Sequence, residues 1–162
     1  MKKFVKTGLA FLLGGSVGAG VGAAVTGKIS EKSTNKKSEK IDKFKTYYNM
    51  LNQWLLLKQE GKSLESYFME SNIKTIAIYG MGEMGNRLYD ELKNSKVEVK
   101  YAIDKEAESI YSELDVRSLE DGMPPVDAVI VTAVFAFEDI KNELSSSIDC
   151  QIISLEDVVY EA

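Results

Sequence analysis

Hydrophobic and polar positions divide the chain into stretches of different character. From Thr7 to Gly27 the run TGLAFLLGGSVGAGVGAAVTG carries no charge. As a helix it would measure about 31 Å at about 1.5 Å per residue, close to the roughly 30 Å hydrocarbon core of a bilayer. The pattern predicts an N-terminal transmembrane or membrane-anchoring helix over residues 7–27, after a basic start at 1–6. Small residues recur every fourth position, at Ala10, Gly14, Gly18, Gly22 and Thr26, and again at Gly15, Ala19, Ala23 and Gly27. Such a glycine zipper lets a second helix approach closely, so homo-oligomerisation through Gly14, Gly18 and Gly22 is expected. A cleaved signal peptide ending at Val21-x-Ala23 and a peripheral segment are the rival readings.

Residues 28–40 are polar and rich in Ser and Lys, with no apolar period, and read as a basic flexible linker. Periodicity begins at Ile41. Phe44, Tyr47, Tyr48, Leu51, Trp54 and Leu55 recur at spacings of three and four, predicting one amphipathic helix through about Gln59 that packs on the following sheet or on a second subunit. Gly61 would end it, and Ser63 would cap a short helix carrying Leu64, Tyr67 and Phe68. Together these form a helical lead-in over 41–72.

From Ile73 onward the apolar period alternates between strand and helix. Residues 73–79 and 97–103 read as strands, with a helix over 86–94 between them. Leu114 to Val116 reads as a short third strand, followed by a small helix at Ser118 to Asp121. A buried strand is expected at 127–133, a helix at Phe137 to Leu144, a fifth strand at Cys150 to Ser154 and a closing helix at Leu155 to Tyr160. Right-handed crossovers then give a single α/β domain over 73–162. Its plan is a Rossmann-like, parallel five-stranded sheet in the order 3-2-1-4-5.

Charge and composition narrow the function. Of 162 residues, 44% are hydrophobic and 28% charged, as in a globular protein. Residues 28–62 hold nine lysines against four acids, whereas 63–162 hold eight basic against 21 acidic residues. An acidic globular part argues against nucleic acid as a partner, because phosphate contacts need a basic face. The lysines beside the apolar run suit an anionic lipid surface. By the positive-inside rule they put the C-terminal domain in the cytoplasm, with the chain in the cell membrane as a single-pass protein. There is no His, which removes the commonest general base. The one cysteine, Cys150, reads as a small buried hydrophobe.

The candidate chemistry lies in GMGEMG at 80–85, directly after the first predicted strand. This is the G-x-G-x-x-G pattern in the strand–loop–helix setting that gives it meaning. Gly80 would permit a tight turn, Gly82 would let a pyrophosphate approach the backbone, and Gly85 would let helix and strand pack closely. Met81, Glu83 and Met84 complete the loop. Asp104, at the tip of the second strand, is placed to accept hydrogen bonds from a ribose diol, favouring NAD over NADP; the adjacent Lys105 softens that preference. Thr132 and Ala133 end the fourth strand and would border the ligand. Tyr101 and Lys105 match Tyr-x-x-x-Lys, but a strand at Tyr101 would point the two apart, so no catalytic residue is assigned. Glu106, Glu108, Glu113 and Asp115 have no metal-ligand spacing and read as a solvated acidic face.

At GMGEMG with Asp104, and again at VDAVIVTA (126–133), residues 73–157 resemble the Rossmann-like modules of bacterial polysaccharide biosynthesis. These are the N-terminal domains of nucleotide-sugar epimerase/dehydratases and of sugar acyltransferases. The first resemblance implies NAD(P) at the glycine loop, and the second a nucleotide-sugar. Nothing after the five-strand unit corresponds to the substrate or repeat domains of those families. The expectation is therefore a membrane-tethered, non-catalytic binding module. An oxidoreductase subunit needing a partner chain and an interaction protein with a vestigial pocket are the alternatives.

Overall fold

The computed structural model describes the backbone from Gly18 and side chains from Lys37. The chain divides at Phe44/Lys45 into two units, the second being Lys45–Ala162. A long helix, α1 (Gly18–Gln59), is followed by α2 (Leu64–Glu70), β1 (Thr75–Tyr79), α3 (Glu83–Leu92), β2 (Glu98–Ile103) and β3 (Val116–Arg117). Then come β4 (Ala128–Val131), α4 (Phe137–Leu144), β5 (Gln151–Ser154) and α5 (Leu155–Glu161).

The five strands form one parallel sheet in the order β3-β2-β1-β4-β5, as the crossover argument predicts. Alternation along β1 sends Ile76 and Ile78 to one face and Ala77 and Tyr79 to the other. The first face is covered by Met50, Trp54 and Leu57 of α1, Leu64 and Phe68 of α2, Leu88 and Leu92 of α3, and Val158 and Val159 of α5. The second is covered by Ile140 and Leu144 of α4, together with Leu119, Met123 and Val126 from the β3–β4 connection.

Several sequence expectations are corrected here. Residues 28–40 are not a linker but part of α1. They contain no Gly or Pro, and Lys and Glu are good helix formers, so a continuous helix needs no apolar stripe of its own there. Ser63 occupies the N-cap of α2 without a side-chain cap bond; the Leu64 amide donates instead to Glu91 Oε1 at 2.9 Å. No helix forms at Ser118–Asp121, where Asp121 Oδ2 accepts the Ser118 amide in a turn; Pro124 and Pro125 follow and prevent propagation. Among the described residues, no helix is long and apolar enough to cross a membrane. Residues 7–17 of the expected span, with Gly14, lie outside the described residues.

Glu91 ties the lead-in to the sheet. Its side chain, only 8% exposed, accepts the Trp54 indole N–H at 2.6 Å and the Leu64 amide, and pairs with Lys58 at 2.6 Å. One carboxylate of α3 thus fixes both α1 and α2. Cys150 is half-buried against the α4 face, and burial pushes its thiol up.

Candidate functional site: the glycine loop at the carboxyl edge of the sheet

The three glycines have three different local reasons. Gly80 has φ +94°, a left-handed conformation that side chains rarely adopt. A Cβ there would also lie 2.8 Å from the Thr132 hydroxyl. Gly85 sits where α3 presses on the loop: a Cβ would fall 2.2 Å from the Gly80 carbonyl oxygen. Gly82 is the N-cap of α3 at φ −72°, and nothing lies within 4 Å of where its Cβ would be. The fold requires Gly80 and Gly85 but leaves open space over Gly82.

The loop is held rigidly. The Gly80 amide donates to the Ile103 carbonyl at 2.8 Å. The Thr132 hydroxyl, in a side chain almost fully buried, reaches the Gly80 carbonyl at 2.7 Å and the Tyr79 carbonyl at 3.1 Å. Asp104 Oδ2 accepts the Met81 amide at 2.8 Å, and Oδ1 accepts the Glu106 amide at 2.9 Å. Asn86 donates from Nδ2 to the Met81 and Gly82 carbonyls at 3.2 and 3.1 Å. No side chain caps α3, and the amides of Glu83, Met84 and Gly85 find no acceptor among the described residues. These amides carry the positive end of the helix dipole.

Gly80, Gly82, Gly85, Asp104 and Thr132 therefore converge on the carboxyl edge of β2, β1 and β4. The other expected residues separate. Met81 turns its side chain into the core, Met84 packs at the rim of that core, and Glu83 is exposed. Ala133 leads into a 3-10 turn at Val134–Ala136. Lys105 points away to Glu143 of α4, at 3.1 Å, and that carboxylate raises the Lys105 pKa. Tyr101 lies in β2 as expected and donates to the Pro124 carbonyl at 2.9 Å, so it forms no pair with Lys105.

Two features escaped the sequence reading. Asn86 follows the last glycine and holds the loop carbonyls, a role visible only once the turn is closed. Tyr79 ends β1 with a buried hydroxyl close to the Lys105 ammonium. Burial raises its pKa, while the nearby Lys105 charge acts in the opposite sense.

A groove of about 320 Å³ opens between the segment after β4 and the start of α5, lined in part by Phe135, Phe137, Glu138, Asp139, Glu156 and Asp157. Its four carboxylates would repel a phosphate. The open amides of the glycine loop would attract one.

A parallel five-stranded α/β sheet with a glycine loop at its switch point defines a Rossmann-like arrangement. The chain matches no family model, and no curated protein or solved structure is significantly similar to it.

Proposed function

We propose that the chain binds a nucleotide diphosphate ligand, NAD or a nucleotide-sugar, at the loop Gly80–Gly85. The observation that carries this reading is Gly82. Ser, Asn or Asp would cap α3 better than glycine, and neither backbone conformation nor packing calls for glycine there. A glycine that leaves three amides uncapped beneath open space suits a diphosphate resting against the backbone. Asp104 stands beside this space with each oxygen engaged by one amide, and a carboxylate has about four acceptor positions. It retains capacity for a ribose diol. The acidic groove beyond β4 suits hydroxyl groups of a sugar rather than a second anion.

The chain acts as a binding module rather than as an enzyme in this reading. It has no His, and the Tyr101 hydroxyl and Lys105 ammonium are engaged with Pro124 and Glu143. The apolar run 7–27 would hold the module at a membrane. The bonds of Asp104 to Met81 and Glu106 also favour a second reading, in which the carboxylate only braces the loop and the pocket is vestigial.

Melting of the full chain with NAD, NADP and a uridine diphosphate sugar separates the two readings. A ligand at 100 times its Kd adds about 2.7 kcal/mol of stability. The decisive variant is Gly82→Ser, for which the structure has room. The hydroxyl would cap α3 and add about a few tenths of a kcal/mol of stability while obstructing the diphosphate. A variant that melts higher without ligand but loses the ligand-induced shift supports the proposal. Absence of any shift at millimolar nucleotide, or a shift retained in Gly82→Ser, overturns it.

A further inference from the structure

Each peptide plane of the glycine loop has its own holder. The Gly80–Met81 plane is fixed from both sides, by the Thr132 hydroxyl on the Gly80 carbonyl at 2.7 Å and by Asp104 Oδ2 on the Met81 amide at 2.8 Å. The Gly82–Glu83 plane is fixed through its carbonyl, which accepts the Asn86 amide at 3.0 Å and Asn86 Nδ2 at 3.1 Å. The plane between them, Met81–Gly82, has one hydrogen bond among the described residues, from Asn86 Nδ2 to the Met81 carbonyl at 3.2 Å. Gly82 brings no Cβ to resist rotation of that plane.

We propose that Asn86 is a positioning residue for the diphosphate, a role that rests on the ligand reading given above. In a trans peptide the N–H and C=O bonds point in opposite directions. By drawing the Met81 and Gly82 carbonyls to its own side, Asn86 turns the Gly82 and Glu83 amides to the other, where neither meets an acceptor. Exposed amides of this kind are what a phosphate oxygen takes up at the start of a helix. Without the Asn86 side chain the Met81–Gly82 plane is released. Its rotation would present the Met81 carbonyl oxygen where the Gly82 amide had presented a donor, and an anion would meet a partial negative charge. Nothing else in the fold calls for asparagine here. Its side chain is exposed, its donor atom bonds only to these two carbonyls, and alanine or leucine would be a better helix former in the first turn of α3.

The test compares the full chain with Asn86→Ala and Asn86→Leu; leucine is close to asparagine in shape but carries no N–H. Both variants should keep a melting temperature close to that of the wild type. Calorimetric titration with NAD and with a uridine diphosphate sugar should show affinity lower by about 10- to 100-fold for whichever of the two the wild type binds, the worth of one hydrogen bond to a charged group. A second readout needs no ligand. In nitrogen-15-labelled protein, the Gly82 amide resonance and its nuclear Overhauser effect to the Met81 Hα should change in both variants, reporting the released plane. Wild-type affinity in both variants overturns the proposal and leaves the ligand reading standing. An unchanged Gly82 amide geometry overturns it whether or not a ligand binds. Absence of nucleotide binding by the wild type at millimolar concentration overturns the ligand reading itself, and this role with it.

Discussion

Replacing Gly85 by alanine tests whether the helix and the loop truly touch. In the first turn of α3, alanine is favoured over glycine by up to about 1 kcal/mol of helix propensity. Propensity alone therefore predicts a more stable protein. The structure predicts the opposite. A Cβ at this position falls 2.2 Å from the Gly80 carbonyl oxygen and 3.1 Å from its carbon, against the roughly 3.5 Å at which heavy atoms sit comfortably. Relief needs a shift of about 1 Å. The loop resists it: the Gly80 oxygen is held by the Thr132 hydroxyl at 2.7 Å, and its amide by Ile103 at 2.8 Å. Moving α3 instead would open the contacts of Leu88 and Leu92, both fully buried or nearly so. Overpacking of this kind costs about 1–3 kcal/mol, and more where backbone meets backbone. After the propensity gain, a net loss of about 2 kcal/mol remains, or a fall of about 8–10 °C in melting temperature for a unit of this size. Thermal unfolding by circular dichroism, with Gly82→Ser as the contrasting variant, reads both signs. An unchanged or higher melting temperature for Gly85→Ala would refute the close approach and the account of the loop built on it.

Other consequences follow from the same contacts. Glu91→Gln leaves one of the Trp54 and Leu64 donors without a good acceptor and removes the Lys58 ion pair, at about 1–3 kcal/mol. Because Trp54 is the one tryptophan, its emission should also shift to the red. Thr132→Val preserves shape but deletes the hydroxyl that holds Gly80, and should cost about 1–2 kcal/mol in urea unfolding. Asp127 accepts the Lys74 and Thr75 amides and the Thr75 hydroxyl, and these bonds hold its carboxyl below the usual range. Its contribution is therefore present above the unfolded pKa of about 3.9 and is lost as pH falls through the lower folded value. Asp127→Asn should flatten the acid limb of the melting-temperature profile below about pH 4, and an unaltered limb would argue against the depressed carboxyl. Membrane fractionation of a chain lacking residues 1–27 tests the anchor: release from the pellet is expected, and persistence there would remove it.

Periodicity and crossover handedness made the order β3-β2-β1-β4-β5 and the succession of strands and helices legible in the sequence, because both are local or nearly local consequences of the chain. The loop Gly80–Gly85 and its meeting with Asp104 and Thr132 were legible too, since strand ends in a parallel sheet fall on one edge. Tertiary structure alone decided the partners. Spacing cannot tell which of two stripes one residue apart will find a sheet, so Tyr47 and Trp54 were not separable from Tyr48 and Leu55. Glu91 had no signal of its own, because its value to the fold lies in donors 27 to 37 positions distant. Lys105, next to Asp104 in sequence, was carried off to Glu143 by the reversal of side-chain direction at the end of a strand. The backbone pattern is written residue by residue, whereas polar satisfaction depends on which distant atoms the finished fold brings within about 3 Å.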